Sequence, residues 1–206
     1  MTLAGVDRLL GMTTVVADIS VSLDGFVTGP DAGPDNGLGT GGEPLHAWVL
    51  KSDDPVDAEI LARSTERSGA VVMGRNLFDV IDAPSGWNDE MGYGAEHAAR
   101  PPFFVVTHEP PSSVRLGLDF RFVADVPTAI DQAKAAAGTK DVFVMGGGDI
   151  IRQSVDAGLV DELVLHLSPV VLGAGTPLFV DAVRRELVQR AVLPSRTAVH
   201  LTYEVR

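Results

Sequence analysis

The chain has 206 residues, 45% hydrophobic and 21% charged, enough for one packed core and read as one large domain. Sixteen basic against twenty-eight acidic residues give a formal charge of −12, and no window gathers the Lys/Arg track that a nucleic-acid partner requires. The absence of cysteine removes disulfides and thiolate metal sites, and no apolar run reaches the roughly 18 residues that span a bilayer, so a cytoplasmic protein without a membrane partner is expected.

Residues 1–12, MTLAGVDRLLGM, lack the basic leader and apolar block of a secretion signal and read as a flexible extension, leaving 13–206 as the domain. TTVVADISVSLDGFVTG alternates as a strand with a tight bend at Leu23-Asp24-Gly25-Phe26. The Gly/Pro-rich run from Gly29 to Gly42 is a long loop suited to a lid. GEPLHAWVLKS has helical spacing, with Leu45, Trp48 and Val49 on one face, and a second helix spans Pro55 to Ser68.

Ala70 to Met73 is a short buried strand that ends at Gly74, where a helix begins. After a Gly/Trp/Asn-rich excursion over 82–101, PPFFVVTHEPP supplies another buried strand closed by prolines. RFVADVPTAIDQAKAAAG gives a strand, a turn and a helix, with Asp125 as N-cap and Gly138 just past its end. VFVMGGGDIIRQSVDAGLVDELVLHLSPVVLG reads as strand, glycine turn, helix and strand, and 187–206 as two strands joined through LPSRT. The alternation predicts an α/β fold: a mostly parallel central sheet flanked by helices, with an antiparallel C-terminal hairpin.

In such sheets ligands sit beyond the carboxyl ends of the parallel strands, where Gly74, Thr107 and Gly146 to Gly148 fall. Gly146-Gly147-Gly148 suits either a phosphate against backbone amides and a helix N-terminus, or a turn needed only for close packing. Gly74-Arg75 offers a backbone amide beside a guanidinium fork, or a surface arginine at a helix start. Thr107-His108 adds a hydroxyl and an imidazole at a third strand end. Together the three ends suggest a dinucleotide-sized anionic ligand, without a GxGxxG after the first strand. The five histidines, at 46, 97, 108, 166 and 200, show no HxH, HxxxH or HExxH spacing, so no metal is expected.

SLDGFVTG (22–29), VVMGRNLFDVI (71–81), FVVTHEPP (104–111) and VFVMGGGDIIRQSVDAGLVDELVLHLSPVVLGAGTPLF (142–179) resemble the dihydrofolate reductase-like superfamily. The resemblance is to the group that holds the reductase domain of riboflavin biosynthesis and many small stand-alone bacterial proteins. It implies an NADPH site. Gly74 and Arg75 would meet the cofactor phosphates, Thr107 and His108 the adenosine 2′-phosphate, and Gly146, Gly147, Gly148 and Asp149 the pyrophosphate and nicotinamide. It also implies a cis Gly146–Gly147 peptide.

Where folate-reducing relatives carry a threonine two positions after the Gly-Arg, this chain has Leu77, and the late-strand polar partner is His166. Candidate proton donors are Asp24, Glu43, His46 and His166, with Trp48 as a substrate contact or a core residue. The expected activity is hydride transfer from NADPH to a small pteridine- or pyrimidine-like substrate, or to a related heteroaromatic, imine or carbonyl compound. A reductase domain without an accompanying deaminase domain is expected. Two alternatives are the 5-amino-6-(5-phosphoribosylamino)uracil reductase activity of riboflavin biosynthesis and a non-catalytic nucleotide- or drug-binding module. A homodimer is implied by the resemblance.

Overall fold

The computed structural model describes residues 13–95, 97 and 100–206; the extension expected for 1–12 lies outside the described residues. The SLDG bend divides the first expected strand into β1 (Val15–Ser22) and β2 (Phe26–Thr28). The helix expected over 42–52 is shorter, a 3-10 turn at Glu43–His46 running into α1 (Ala47–Leu50), and it is pinned by the buried Leu45 and Trp48. There follow α2 (Pro55–Arg67), β3 (Ser68–Gly74), α3 (Arg75–Asp82), β4 (Phe103–Val106), β5 (Phe120–Val123), α4 (Val126–Ala137), β6 (Asp141–Met145) and α5 (Gly148–Asp156). The chain closes with β7 (Glu162–Ser168), β8 (Thr176–Pro177), β9 (Leu187–Pro194) and β10 (Val199–Val205).

Eight strands form one sheet in the order β5-β4-β3-β6-β1-β7-β10-β9, while β2 pairs with β8 in a small ribbon. The first six of the eight run parallel, and β10 and β9 are antiparallel, which is the expected hairpin. The run Ala70–Met73 has no polar side chain because its strand is central and parallel, covered on both faces. Its alternate residues divide between two apolar layers. Ala70 and Val72 pack with Ile130, Ala133, Ile151 and Val155 of α4 and α5, and Val71 and Met73 with Phe78 and Ile81 of α3.

The α4 helix begins where Asp125 accepts a hydrogen bond from the Thr128 N–H (2.8 Å) and ends before Gly138, whose φ of 63° suits glycine. The loop from Gly29 to Gly42 is closed on itself. Gly29 N–H donates to the Leu38 carbonyl (2.8 Å), and Thr40 N–H to the Pro30 carbonyl (2.7 Å). A Cβ on Gly29 would lie 2.1 Å from the Thr40 carbonyl oxygen, so glycine there serves the loop's own closure. No described helix is long and apolar enough to cross a membrane.

Candidate functional site

Strands β4, β3 and β6 are neighbours, so the three polar strand ends read from the sequence stand side by side. Thr107 follows β4, Gly74 ends β3, and Gly146 to Gly148 follow β6 and open α5. The helices α3 and α5 both start at a glycine N-cap, Gly74 and Gly147, with no side chain bonded to the first-turn amides. Two sets of unclaimed N–H groups and two positive dipole ends therefore point the same way. Between them and α4 lies a cleft of about 650 Å³, bordered by Arg75, Thr107, His108, Asp125, Ile150 and Gln153. A smaller recess of about 180 Å³ continues from it past Gly74, Asn76, Gly147 and Asp149.

The glycines here do two different jobs. A Cβ on Gly74 would come 2.7 Å from Ile150 Cγ1, so this glycine lets the end of β3 pack against α5. A Cβ on Gly147 would meet nothing within 4 Å, so packing does not explain that glycine. The Gly146–Gly147 peptide is cis, as the resemblance implies, and Gly146 has a φ of 27°. Leu77 is the nearest side chain to Gly146, 3.4 Å from where a Cβ would stand.

Arg75 lies half-buried at the rim, paired with Asp79 (2.7 Å) and donating to the Glu109 carbonyl. The Thr107 hydroxyl donates to the same carbonyl (3.1 Å), which ties the β4 end to Arg75. His108 is exposed beside Asp125, whose carboxyl is held below its ordinary value by its bonds to Thr128 and then by His108. Asp149 is exposed in the first turn of α5 and paired with Arg152 (2.6 Å).

The candidate proton donors separate. Asp24 is a structural carboxylate: it accepts from the Ser22 hydroxyl (2.7 Å) and from the N–H groups of Leu172 (3.0 Å) and Gly173 (2.7 Å). The Ser22 bond first, with those amides, holds it at about 2, so it has no proton to give at neutral pH. These bonds explain how SLDG is fastened to LGAG. Glu43 is exposed at the start of the 3-10 turn. His46 is half-buried, its pKa lowered by burial and then by His166, which favours the neutral ring.

His166 is fully buried on the face of β7 opposite Leu165 and Leu167, which pack against the α4–α5 layer. Its Nε2 lies 2.8 Å from Asp18 Oδ1 and its Nδ1 2.7 Å from Nδ1 of His200. Trp48 is buried rather than presented to the cleft. Its Nε1–H donates to Ser20 Oγ (2.8 Å), and its ring lies 4.0 Å, centroid to centroid, from His166.

Sequence reasoning missed Asp18, Asp57 and His200. Asp57 Oδ1 lies 2.7 Å from His200 Nε2, and Oδ2 accepts from Thr197 (2.5 Å) and Ser52. A signal was present: Asp18, Ser20 and Ser22 put a polar row on one face of a strand with neighbours on both sides.

Three comparisons bear on this architecture. The family model of the RibD C-terminal domain matches residues 13–199. The uncharacterized protein YyaP of Bacillus subtilis (strain 168) is 26% identical over 176 residues, covering 83% of this chain and 82% of that protein. Among solved structures, a putative riboflavin biosynthesis protein from Shewanella sp. PV-4 superposes with a TM-score of 0.68 at 22% identity, covering 94% of this chain and 99% of that one. Dihydrofolate reductase from Enterococcus faecalis, complexed with NADP(H) and RAB-propyl, superposes with a TM-score of 0.59 at 15% identity, covering 95% and 99%.

Proposed function

Since the chain belongs to the RibD C-terminal domain family and has the dihydrofolate reductase-like fold, we propose that it is an NADPH-dependent reductase. Its substrate class is a small pteridine- or pyrimidine-like molecule, or a related heteroaromatic, imine or carbonyl compound. The observation that carries this reading is the pair of uncapped helix N-termini behind Gly74 and Gly147, opening on one cleft with Arg75 at its rim. The residues fit the cofactor: the space beside Gly147 is open, and the amides of both first turns suit phosphate oxygens. Bound there, NADPH supplies a hydride to an electrophilic carbon.

The chain's own residues hold and orient. Arg75 supplies charge and a planar fork, and its tie to the Glu109 carbonyl keeps it beside Thr107 and His108. Thr107 and His108 suit the adenosine end, and Gly146 to Gly148 with Asp149 the nicotinamide end. The expected homodimer has a natural surface in the apolar side chains exposed on and before the edge strand β9, namely Phe179, Val180, Val183, Leu187 and Val192.

Fluorescence titration tests the cofactor site. Arg75→Ala weakens NADPH binding by about 10- to 100-fold, the worth of one hydrogen bond to a charged group, and Arg75→Lys recovers only part of it. Folded wild-type protein that binds no NADPH refutes the reading. The family match supports a second reading, reduction of a ribosylamino-pyrimidine phosphate, which a comparison of acceptors in one NADPH-oxidation assay separates from the first.

A further inference from the structure

Four ionisable side chains from four elements form one buried chain between the sheet and the helices α1 and α2. Asp18 on β1 meets His166 on β7 at 2.8 Å, His166 meets its cross-strand neighbour His200 on β10 at 2.7 Å, and His200 meets Asp57 on α2 at 2.7 Å. Each link joins two atoms that carry lone pairs, so it is attractive only if one proton lies between them. Three links need three protons. With both carboxylates ionised, the two rings hold all three, one more than two neutral imidazoles carry. The pair therefore bears one imidazolium charge between two carboxylates, the compensated arrangement that burial demands.

The surroundings suit that charge. The Trp48 ring lies against His166 and 5.2 Å from His200, where an aromatic face favours a cation. His46 is the other titratable group beside His166, and its ring favours the neutral form. On α2, Ser64 Oγ–H donates to Asp18 Oδ2 at 3.4 Å, and Arg67 is engaged by Asp141 and Glu162.

The chain is closed at one end and open at the other. Side-chain exposure is 1% at Asp57, 3% at His200 and 1% at His166, against 16% at Asp18. Burial first of all lowers the pKa of His200, against the pull of Asp57. Asp18 stands in register with Met145 of the adjoining parallel strand, and Met145 leads directly into the cis Gly146–Gly147 peptide. The open end of the chain thus borders the strand end assigned above to the nicotinamide.

Resting on the reductase reading, we propose that Asp18 is the catalytic proton outlet of an Asp57–His200–His166–Asp18 relay, with His166, His200 and Asp57 as positioning residues. The Nε2–H bond of His166 breaks, the Asp18 carboxyl carries the proton, and an N–H or O–H bond forms on the substrate heteroatom. The neighbouring carbon receives the hydride, so one hydride and one proton complete the reduction of a C=N or C=O group. Two neutral rings remain, with both inner links filled: His166 Nδ1–H donates to His200, and His200 Nε2–H to Asp57. Solvent refills the emptied outer link at Asp18, the exposed end.

NMR of the full chain labelled with ¹⁵N-histidine tests the relay without cofactor or substrate. Three ring N–H protons on the His166–His200 pair near neutral pH are expected, titrating as a single-proton step that Asp18→Asn moves down by at least about one pH unit. Two neutral rings in the wild type at that pH overturn the relay, and this measurement needs no variant to fold. Single-turnover NADPH oxidation reads the outlet: Asp18→Asn leaves NADPH affinity in place and slows hydride transfer by about 100-fold or more, the ordinary worth of a general acid. Wild-type oxidation with an unaltered Asp18→Asn rate overturns the outlet alone. A three-proton pair in a protein that consumes no reduced nicotinamide overturns the reductase reading, and the proposal with it.

Discussion

Asp57 is the place where the stability of this fold is most exposed to a single change. Its side chain is 1% accessible, and its oxygens accept from His200, Thr197 and Ser52. Burial opposes its ionisation, but the bonds from Ser52, Thr197, Ser195 and His200 overcome that and bring the carboxyl from 3.8 to about 2. A folded-state value below the unfolded one means that the folded protein binds fewer protons there. The contribution is therefore fully present above the ordinary carboxylate value and is lost as pH falls through about 2. Its size is roughly 2 kcal/mol. Replacing Asp57 by alanine also leaves His200, Ser52 and Thr197 without their acceptor, so the total cost near neutral pH is about 3–5 kcal/mol. Urea denaturation of wild type and Asp57→Ala, and of Asp57→Asn to keep the volume, measures both quantities. The difference between wild type and Asp57→Asn shrinks as pH drops from about 5 toward 2. A loss below about 1 kcal/mol on alanine substitution at neutral pH, or a difference that grows on acidification, refutes the reasoning.

Two further substitutions probe the frame around the cleft. Gly74→Ala puts a methyl group 2.7 Å from Ile150 Cγ1 and costs about 1–3 kcal/mol of stability in the same denaturation assay, and its further cost falls in an Ile150→Ala background, which lacks the clashing Cγ1. Asp24→Ala releases the N–H groups of Leu172 and Gly173, so their hydrogen exchange accelerates by about tenfold or more while amides in β3 and β6 keep their protection. Because the Asp24 carboxyl is held at about 2, wild-type protection at those amides persists on acidification until pH falls toward that value.

The parts of this molecule that local chemistry determines were legible in the sequence. Ala70–Met73 had to be a doubly covered strand because nothing polar interrupts it, and Asp125 and Gly138 marked the limits of α4 by capping and by left-handed backbone. The three strand ends were readable for the same reason: glycine and arginine at the close of a buried run are local events. The split of the first strand at the SLDG bend and the shortness of α1 were not, since both depend on partners 120 residues or more away. Asp24 reaches Leu172 and Gly173, and the Leu45 carbonyl accepts from Ser168.

The proton chain lay further from view. His166 lies in the apolar run LVLHLS and His200 in the mixed run AVHLTYEV, and each taken singly reads as a core histidine. Only the antiparallel register of β7 with β10 makes them direct neighbours, and only the parallel register of β1 with β7 brings Asp18 beside them. Asp57, in the first turn of α2, reads from sequence as an ordinary acidic residue at a helix start, yet tertiary packing makes it the inner anion of the chain. Single-residue chemistry thus pointed to the glycine-bordered candidate cleft, whereas the groups that would manage the proton became visible only when strand register supplied the pairing. The reason is physical: a phosphate site can be built from consecutive backbone amides, but a buried charge needs counter-charges, and here those come from Asp18 and Asp57, more than 140 residues away from their histidines in the chain.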